Sequence, residues 1–253
     1  MTITFLGTGT SQGVPVIACN CEVCKSLNPK DKRLRSSILI EAAGKVIVID
    51  SGPDFRYQML RANVQHLDAI VFTHEHKDHI AGLDDIRAFN YRQQGPIAIY
   101  ADIVVQQALQ REFHYIFADA KYPGIPEIDM NTIDLSPFKI GNTVFKPIEV
   151  MHYRLPVLGF RIKDFTYITD AKTIADAEKE KIKGTKILVI NALQKQTHIS
   201  HLTLDEAVLF ALEIGAEKTC FTHKSHRLGT HHDINKELPP GIELAYDCLK
   251  LEV

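Results

Sequence analysis

Four side chains that commonly bind metals fall within six residues of the chain. The apolar run 67–72 predicts a buried strand, and the polar residues that follow it include His74, His76, Asp78 and His79. Because residues two apart in an extended segment point the same way, His74 and His76 can share one cation. Asp78 and His79 lie where the chain turns towards a predicted helix, and they can face a second cation. Three imidazoles and a carboxylate suit zinc, manganese or iron, whereas calcium prefers oxygen ligands alone.

Three more predicted strands end at a potential metal ligand. The strand ending at residue 150 is followed closely by His152, and those ending at residues 168 and 222 are followed by Asp170 and His223. Each of these residues alone would more often be structural, and histidines at a polar strand end can simply meet water. Together with the first cluster they supply the ligands that two adjacent metal ions need. The sequence therefore predicts one metal centre assembled from several strand ends.

A second group of potential ligands is the CxCxxC motif formed by Cys19, Cys21 and Cys24. Thiolates at this spacing suit a tetrahedral structural zinc, which needs a fourth ligand from elsewhere in the chain. The candidate for that ligand is His226, and the alternative is three reduced cysteines without a metal. The two other cysteines, Cys220 and Cys248, lie in apolar runs and are predicted to be small core residues.

Composition limits the kind of protein. The chain has 253 residues with 45% hydrophobic and 24% charged residues, which is ordinary for a globular protein. We expect one domain over residues 1–253, with a small zinc knot at about residues 19–24. The formal net charge of -2 excludes a strongly basic nucleic-acid footprint. We expect no membrane span, no signal peptide and, from the odd number of five cysteines, a reduced cytoplasmic setting.

Neighbouring elements are predicted to hold the ligands in place. Residues 37–41 and 45–50 predict two strands of a hairpin with its turn at Ala43-Gly44. Asp50 ends the second strand, where it can bond the ligand loop or simply stabilise the following turn. Asp54 is predicted to cap a helix over residues 55–63, and the apolar spacing of residues 80–91 predicts a single helix. Residues 204–214 predict an amphipathic helix capped by Thr203.

The stretch 118–129 is rich in proline and acidic residues and predicts a surface loop. The aromatic residues in and beside it, Tyr115, Phe117 and Tyr122, can line a pocket, pack at a dimer contact or pack on the solvent side.

The segment His74-Glu75-His76-Lys77-Asp78-His79 resembles the HxHxDH signature of the metallo-β-lactamase superfamily. This resemblance implies an α/β fold, namely a four-layer αββα sandwich with the site along one edge. It also implies two divalent metal ions, zinc or manganese. The implied ligands are His74, His76 and His152 for one metal, Asp78, His79 and His223 for the other, and Asp170 as a bridge.

Further motifs are similar to one subgroup of that superfamily. They are residues 7–15, the CxCxxC motif, residues 155–159 and residues 198–203. The subgroup contains phosphoribosyl 1,2-cyclic phosphate phosphodiesterase and is related to tRNase Z. It implies that His226 completes a structural zinc site, that His201 serves the leaving group or phosphate, and that the protein forms a homodimer. Tyr153 departs from the glycine that is commoner in the subgroup, and a larger side chain there would reshape the pocket. The long arm that grips tRNA has no counterpart in this sequence, which argues against a long nucleic acid as partner.

The expected function is a binuclear-metal phosphodiesterase that hydrolyses a small phosphodiester, cyclic esters included. The expected mechanism is attack by a metal-bridging hydroxide, with Asp78 or Asp170 taking its proton and His201 as general acid. Two alternatives stay open. One is another hydrolase on the same fold, either a thioesterase similar to glyoxalase II or a nuclease. The other is a metal-binding protein without catalysis.

Overall fold

Two mixed β-sheets form the centre of the protein, in a computed structural model that describes residues 1–119 and 122–253. Their strands, in chain order, are β1 (Thr2–Gly7), β2 (Ser37–Ala42), β3 (Lys45–Ile49), β4 (Ala69–Val71), β5 (Ile97–Ala101), β6 (Ile128–Thr132), β7 (Phe138–Ile140), β8 (Thr143–His152), β9 (Leu155–Ile162), β10 (Phe165–Tyr167), β11 (Ile187–Asn191), β12 (Lys218–Thr222), β13 (Ile242–Leu244) and β14 (Lys250–Glu252). The helices are α1 (Glu22–Lys25), α2 (Phe55–Arg61), α3 (Lys77–Ile80), α4 (Arg87–Gln93), α5 (Ile103–Glu112), α6 (His114–Phe117), α7 (Asp176–Ile182), α8 (Leu204–Ile214) and α9 (His231–Glu237), with short 3₁₀ turns at Pro29–Asp31 and Leu83–Ile86.

The two sheets share one plan. The first has the strand order β14-β1-β2-β3-β4-β5-β6 and the second β13-β12-β11-β10-β9-β8-β7. In the first sheet β14 to β3 pair antiparallel and β3 to β6 pair parallel. In the second sheet β7 to β10 pair antiparallel and β10 to β13 pair parallel. Each sheet therefore has a parallel part, where strands ending at one edge can present side chains together.

Apolar side chains fill three layers between and outside the sheets. Residues of both sheets, such as Val71 and Phe160, form the cluster between them. A second cluster packs helices α2, α4 and α5 on the outer face of the first sheet. A third packs α8 and α9 on the outer face of the second sheet. This arrangement confirms the predicted four-layer αββα sandwich.

Helix α8 shows how a local sequence signal fixes the start of an element. Thr203 Oγ1 accepts from Glu206 N, and the Glu206 carboxylate accepts from Thr203 N, so both members of the capping box are present. Gly215 ends the helix in the left-handed region at φ 67. Because His201 lies two residues before the cap, the start of α8 also fixes the position of His201.

Two predictions about the first half are wrong. Asp54 stands at the start of α2 but makes no capping bond; its carboxylate instead accepts from the backbone and guanidinium of Arg35. Residues 80–91 form α3, a 3₁₀ turn and α4 rather than one helix. The interruption lies at Gly82, where an added Cβ would be 2.2 Å from the carbonyl oxygen of Gly52. Close backbone contact with the neighbouring turn therefore interrupts the helix there.

The predicted loop 118–129 lies partly outside the described residues, which omit 120 and 121. Around it, Tyr115 donates to Asp84 at 2.5 Å, Phe117 packs on the outer cluster of the first sheet, and Tyr122 is 81% exposed. Within the described ranges, no helix combines the length and the hydropathy that a membrane span requires.

Candidate metal centre

The predicted ligands come together at the carboxyl-terminal ends of strands from both sheets. His74 and His76 follow β4, and Asp78 and His79 lie in α3. The remaining three side chains stand at the ends of β8, β10 and β12: His152, Asp170 and His223. The parallel strands of both sheets, together with β8 from the antiparallel part of the second sheet, thus bring their polar ends to one edge of the sandwich.

Asp50 organises the first half of the centre from beneath. It is fully buried at the end of β3 and accepts from the backbone N–H of Thr73 at 2.9 Å and from Thr73 Oγ1 at 2.8 Å. The same carboxylate lies 2.7 Å from His79 Nδ1, which donates to it. Because the Thr73 hydroxyl gives its proton to Asp50, it accepts from His74 Nδ1 at 2.9 Å. Asp50 therefore sets the orientation of both imidazoles, as one of its two interpretations predicted.

This bonding leaves the other ring nitrogen of each histidine facing the centre. The Nε2 atoms of His74 and His79 are buried and have no hydrogen-bond partner in the described residues. His79 Nε2 lies 3.2 Å from Asp78 Oδ2 and 3.3 Å from Asp170 Oδ2. His152 is oriented in the same way. Its Nδ1 donates to the carbonyl of Ser200 at 2.8 Å, which leaves Nε2 as the nitrogen available for a metal.

Asp170 lies at the middle of the second half. Its Oδ2 accepts from Thr169 Oγ1 at 2.6 Å and is 3.3 Å from His223 Nδ1. Asn191, the last residue of β11, holds the backbone of Ala171, the residue after Asp170. Its Oδ1 accepts from Ala171 N at 2.7 Å, and its Nδ2 donates to the Ala171 carbonyl at 2.9 Å. The bond from Thr169 thus fixes the Asp170 carboxylate, and the bonds of Asn191 fix the backbone beside it. The carboxylate lies within 4 Å of His79, His201 and His223.

The described side chains form three overlapping groups whose ligand atoms lie within 4.8 Å of one another: His74, His79 and Asp170; Asp78, His79 and His223; and His152, Asp170 and His201. The second group is the set that the resemblance implied for one metal, with Asp170 adjoining it. His76 belongs to none of the three, although its ring centroid is 4.6 Å from that of His74 and 5.2 Å from that of His152.

The charges of the cluster are strongly interdependent. Burial opposes charge on His79, but the carboxylates of Asp78, Asp50 and Asp170 outweigh it and raise its pKa well above the usual range. Burial likewise opposes ionisation of Asp170, yet His223 and His79 hold its pKa well below the usual range. A proton on His79 and a divalent cation would therefore compete for the same ring nitrogen.

The donor set therefore fits divalent metal ions. It combines imidazole nitrogens whose far side is tied by a hydrogen bond with carboxylates at the same edge, the ligand types of zinc and manganese sites. The unpartnered Nε2 atoms of His74 and His79 are the specific observation that supports this fit.

His201 lies beside these ligands. Its ring centroid is 4.4 Å from that of His152 and 5.0 Å from that of His223, and its Nδ1 is 3.8 Å from Asp170 Oδ1. Burial, with a smaller contribution from neighbouring His223, lowers the pKa of His201 to about 3. That Nδ1 atom has no hydrogen-bond partner among the described residues.

The cysteine motif and His226 also come together. The sulfur atoms of Cys19, Cys21 and Cys24 lie 3.2, 3.4 and 3.6 Å from His226 Nδ1. A tetrahedral zinc with its ordinary bond lengths would hold sulfur and nitrogen about 3.5 Å apart. The backbone N–H of Cys24 lowers the pKa of Cys21 to about 6, whereas burial raises the pKa of Cys24 to about 11. A structural zinc in this knot stays a prediction, and the four side chains are placed for it.

The other two cysteines differ from each other. Cys220 is buried in β12 as predicted. Cys248 is exposed and adopts φ 73 in the turn before β14, so its assignment to the core is wrong.

Sequence reasoning named Asp50 but missed the other residues that orient the ligands. Three candidate ligands directly follow a threonine at a strand end: His74 after Thr73, Asp170 after Thr169, and His223 after Thr222. Two of these hydroxyls bond the ligand network. This repeated pairing is visible in the sequence and would have identified Thr73 and Thr169. Asn191 and Ser200 carry no comparable signal.

A cavity of about 470 Å³ lies elsewhere, between α2 and α4, and contains none of the predicted ligands. A narrower cleft of about 50 Å³ opens beside the metal centre and is lined in part by His74, Asp102 and Leu155. We place the functional site at the metal centre, where the titratable groups with shifted pKa lie and which this cleft joins at His74.

Comparisons with known proteins agree with this geometry. Residues 45–224 match the family model of the Beta-lactamase superfamily domain. The chain is 40% identical over 253 residues to a Porphyromonas gingivalis protein named Octanoyltransferase, covering 99% of this chain and 51% of that protein. It is 27% identical over 199 residues to Ribonuclease Z of Nanoarchaeum equitans, covering 77% of this chain and 60% of that protein. The crystal structure of a new diphosphatase from the PhnP family superposes with a TM-score of 0.93 at 40% identity, covering 100% of this chain and 97% of the other. The chain thus spans about half the length of the Porphyromonas protein.

Proposed function

The chain belongs to the β-lactamase superfamily, and from this premise we propose that it is a metal-dependent hydrolase, specifically a phosphodiesterase acting on a small phosphodiester. One observation carries the proposal. Seven side chains able to bind divalent metals meet at one edge of the sandwich, with His201 beside them: His74, His76, Asp78, His79, His152, Asp170 and His223.

The phosphodiester part of the proposal is supported by the relatives. The structure at 40% identity is that of a diphosphatase, an enzyme that breaks a bond at phosphorus. Ribonuclease Z, a more distant relative, also cleaves phosphodiesters. Fold alone would not select this chemistry, because one fold can support many reactions. The added support is that a close structural neighbour over the whole chain acts at phosphorus.

We propose two ions in the centre, zinc or manganese. His74, His76, His152 and Asp170 would hold one, and Asp78, His79, His223 and Asp170 the other. Ions bound there would polarise a phosphoryl oxygen and lower the pKa of water towards about 7. Cys19, Cys21, Cys24 and His226 would hold a third, structural zinc.

The protein's own residues supply orientation and proton transfer. The carboxylates of Asp78 and Asp170 adjoin His79 Nε2 and are placed to accept a proton from water at the centre. His201 has a free Nδ1 atom beside Asp170 and would hydrogen-bond the phosphoryl group. The negative charge of that group would raise the pKa of His201 from about 3 and so let it protonate the leaving oxygen. In this scheme Asp170 is needed for metal binding, whereas His201 is needed for rate.

We also propose a small-molecule substrate rather than a long nucleic acid, which the net charge of -2 supports. The five cysteines are all free, which supports a reducing, cytoplasmic setting. A homodimer is proposed from the resemblance to the phosphodiesterase subgroup, and the molar mass in solution tests it.

A second candidate is hydrolysis of an acyl thioester, which the metal centre could also catalyse. It is favoured by one observation, the name Octanoyltransferase of the Porphyromonas gingivalis protein. That name describes a protein of which this chain spans 51%, so the acyl chemistry of the whole protein need not lie in the matching half.

Parallel assays separate the two candidates. Zinc-loaded and manganese-loaded protein is assayed with bis(4-nitrophenyl) phosphate and with an octanoyl thioester, using Asp170→Ala as the control. We expect release of 4-nitrophenol at a rate that falls by at least about 100-fold in the variant, because a residue that would hold both ions is lost. Turnover of the thioester alone would favour the second candidate. Turnover of neither ester with metals bound would reject both general activities.

A further inference from the structure

A fully buried arginine, Arg33, bonds the loop that carries His223 and His226. The side chain of Arg33 has no exposed surface, and Asp31, its ion-pair partner at 3.3 Å, is 1% exposed. Burial of a guanidinium is costly unless its donors are bonded. The bonds of Arg33 therefore indicate what this side chain does in the structure.

Most of those bonds go to the loop that follows β12. Arg33 Nη1 donates to the carbonyl of Ser225 at 2.9 Å, and Nη2 donates to the carbonyl of Gly229 at 3.0 Å. Asp31 adds a third tie, because it accepts from the backbone N–H of His231 at 2.7 Å. The Arg33–Asp31 ion pair thus bonds the loop at Ser225 and Gly229 and bonds the first residue of α9, His231.

The same loop carries one ligand of each proposed metal site. His223 faces Asp170 in the metal centre, and His226 contacts the three cysteine sulfurs of the knot. Ser225, whose carbonyl Arg33 holds, lies between these two histidines in the chain. A shift of the Ser225 carbonyl would therefore move both ligands.

The segment that contains the cysteine knot also bonds directly to Arg33 and to Asp31. Val14 and Arg33 exchange both backbone hydrogen bonds at 2.8 Å and close the segment that contains the three cysteines. Ser26, two residues after Cys24, donates to Asp31 at 2.7 Å. The ion pair is thus bonded both to the knot segment and to the loop with His223.

We propose that Arg33 is a positioning residue that couples the cysteine knot to the metal centre through residues 223–229. Filling the knot fixes His226, the fork of Arg33 holds Ser225 and Gly229, and His223 is thereby placed for the second metal. The inference rests on the metal sites proposed above but not on the phosphodiester substrate.

The variant Arg33→Lys tests the positioning role. Lysine keeps a positive charge for Asp31 but lacks the planar fork that reaches two carbonyls at once. The matched control is Arg161→Lys, because the guanidinium of Arg161 also donates to two backbone carbonyls, those of Lys181 and Lys183 at the end of α7.

The readout is cobalt binding without substrate. The knot gives an intense thiolate-to-cobalt charge-transfer band, whereas the His and Asp centre gives only weaker ligand-field bands, so the two sites are followed separately. We expect the dissociation constant of the metal centre to rise by about 10–100-fold in Arg33→Lys, as for other residues that orient ligands. The control is expected to match the wild type.

Coupling itself is tested by emptying the knot with Cys21→Ser. The account predicts weaker binding at the metal centre in this variant, because coupling between sites is reciprocal. If the variant does not fold, cobalt titration of the metal-free wild type decides, since coupling predicts that the two sets of bands rise together.

Three outcomes would overturn the inference. One is a lower melting temperature in Arg33→Lys with both affinities unchanged, which would leave only a structural role. Another is an equal loss of affinity in Arg161→Lys. The third is full affinity of the centre when the knot is empty. None of these outcomes depends on whether the protein hydrolyses a phosphodiester.

Discussion

Single residues at the strand ends adopt costly conformations in the candidate centre. Asp50, Asp170 and His223 are not glycines, yet their φ angles are 65, 56 and 51. The left-handed region costs such residues roughly 1 kcal/mol each and persists where the surroundings enforce it. Here hydrogen bonds from neighbouring strand ends hold each side chain, so the strain is consistent with residues kept for their chemistry.

His201 separates metal binding from proton transfer. Replacing it by alanine, His201→Ala, is expected to leave metal content unchanged and to lower kcat by about 10²–10⁴-fold, the usual contribution of a positioned acid or base. Metal content by elemental analysis and turnover of bis(4-nitrophenyl) phosphate check this. Loss of metal would instead make His201 a ligand, as its grouping with His152 and Asp170 permits.

Asp50 acts on the metal centre through His79 and Thr73. In Asp50→Asn, an amide whose oxygen accepts from Thr73 N would turn its NH₂ group towards His79 Nδ1, where the carboxylate now accepts a proton. The imidazole would then protonate at Nε2, the nitrogen that faces the centre. We expect metal affinity to fall by about 10–100-fold.

A zinc competition titration measures that loss, and Asp68→Asn is the control because Asp68 lies at the start of β4, away from the ligands, and pairs with Lys45. Wild-type affinity in Asp50→Asn would mean that the carboxylate does not orient His79.

For single residues, the sequence predicted the candidate metal ligands better than the residues that hold those ligands in position. Spacing along the chain made the set of His74, His76, Asp78 and His79 visible, because all four fall in one segment. Arg33 and Asn191 were not predicted, since each acts on residues that are distant in sequence and close only after folding.

Among the elements, the turn after β3 and helix α3 are in direct backbone contact. An added Cβ at Gly52 would be 2.0 Å from the carbonyl oxygen of Asp78, and Gly82 N donates to the carbonyl of Ser51 at 2.8 Å. The helix that carries two candidate ligands therefore packs on a turn where a side chain cannot fit.

The variant Gly52→Ala tests this contact. We expect it to destabilise the fold by about 1–3 kcal/mol, as overpacking does, and to weaken metal binding because Asp78 must move. Urea unfolding and zinc titration measure the two effects.

Gly95→Ala is the control, because an added Cβ there meets nothing within 4 Å. It should stay within about 0.5 kcal/mol of the wild type. Equal behaviour of the two variants would show that the turn can yield without disturbing α3.

Elements with strong local signals were predicted well, and elements set by tertiary contact were not. The hairpin of β2 and β3 and the capped helix α8 follow from apolar alternation, a Gly turn and a capping box. The break at Gly82 and the bonding of Asp54 to Arg35 depend on partners from other elements. Local propensity carries no information about either.

For the whole molecule, the repeated sheet plan explains why one edge collects the ligands. Each half of the chain ends its parallel strands at the same edge, so side chains from β4, β10 and β12 meet there. The four-layer arrangement was predicted through the resemblance of the HxHxDH segment. The order of strands and helices in each half was consistent with two similar sheets packed face to face, which the structure has.

The central claim is that this edge forms a metal centre that hydrolyses phosphodiesters. The most direct test is to remove metal with a chelator, restore zinc or manganese stepwise, and follow 4-nitrophenol release from bis(4-nitrophenyl) phosphate in the wild type and in Asp170→Ala. The account predicts that activity is lost without metal and returns with it in the wild type, while the variant stays inactive at every metal concentration. Equal activity in the metal-free protein, or recovery by Asp170→Ala to the wild-type rate, would contradict it.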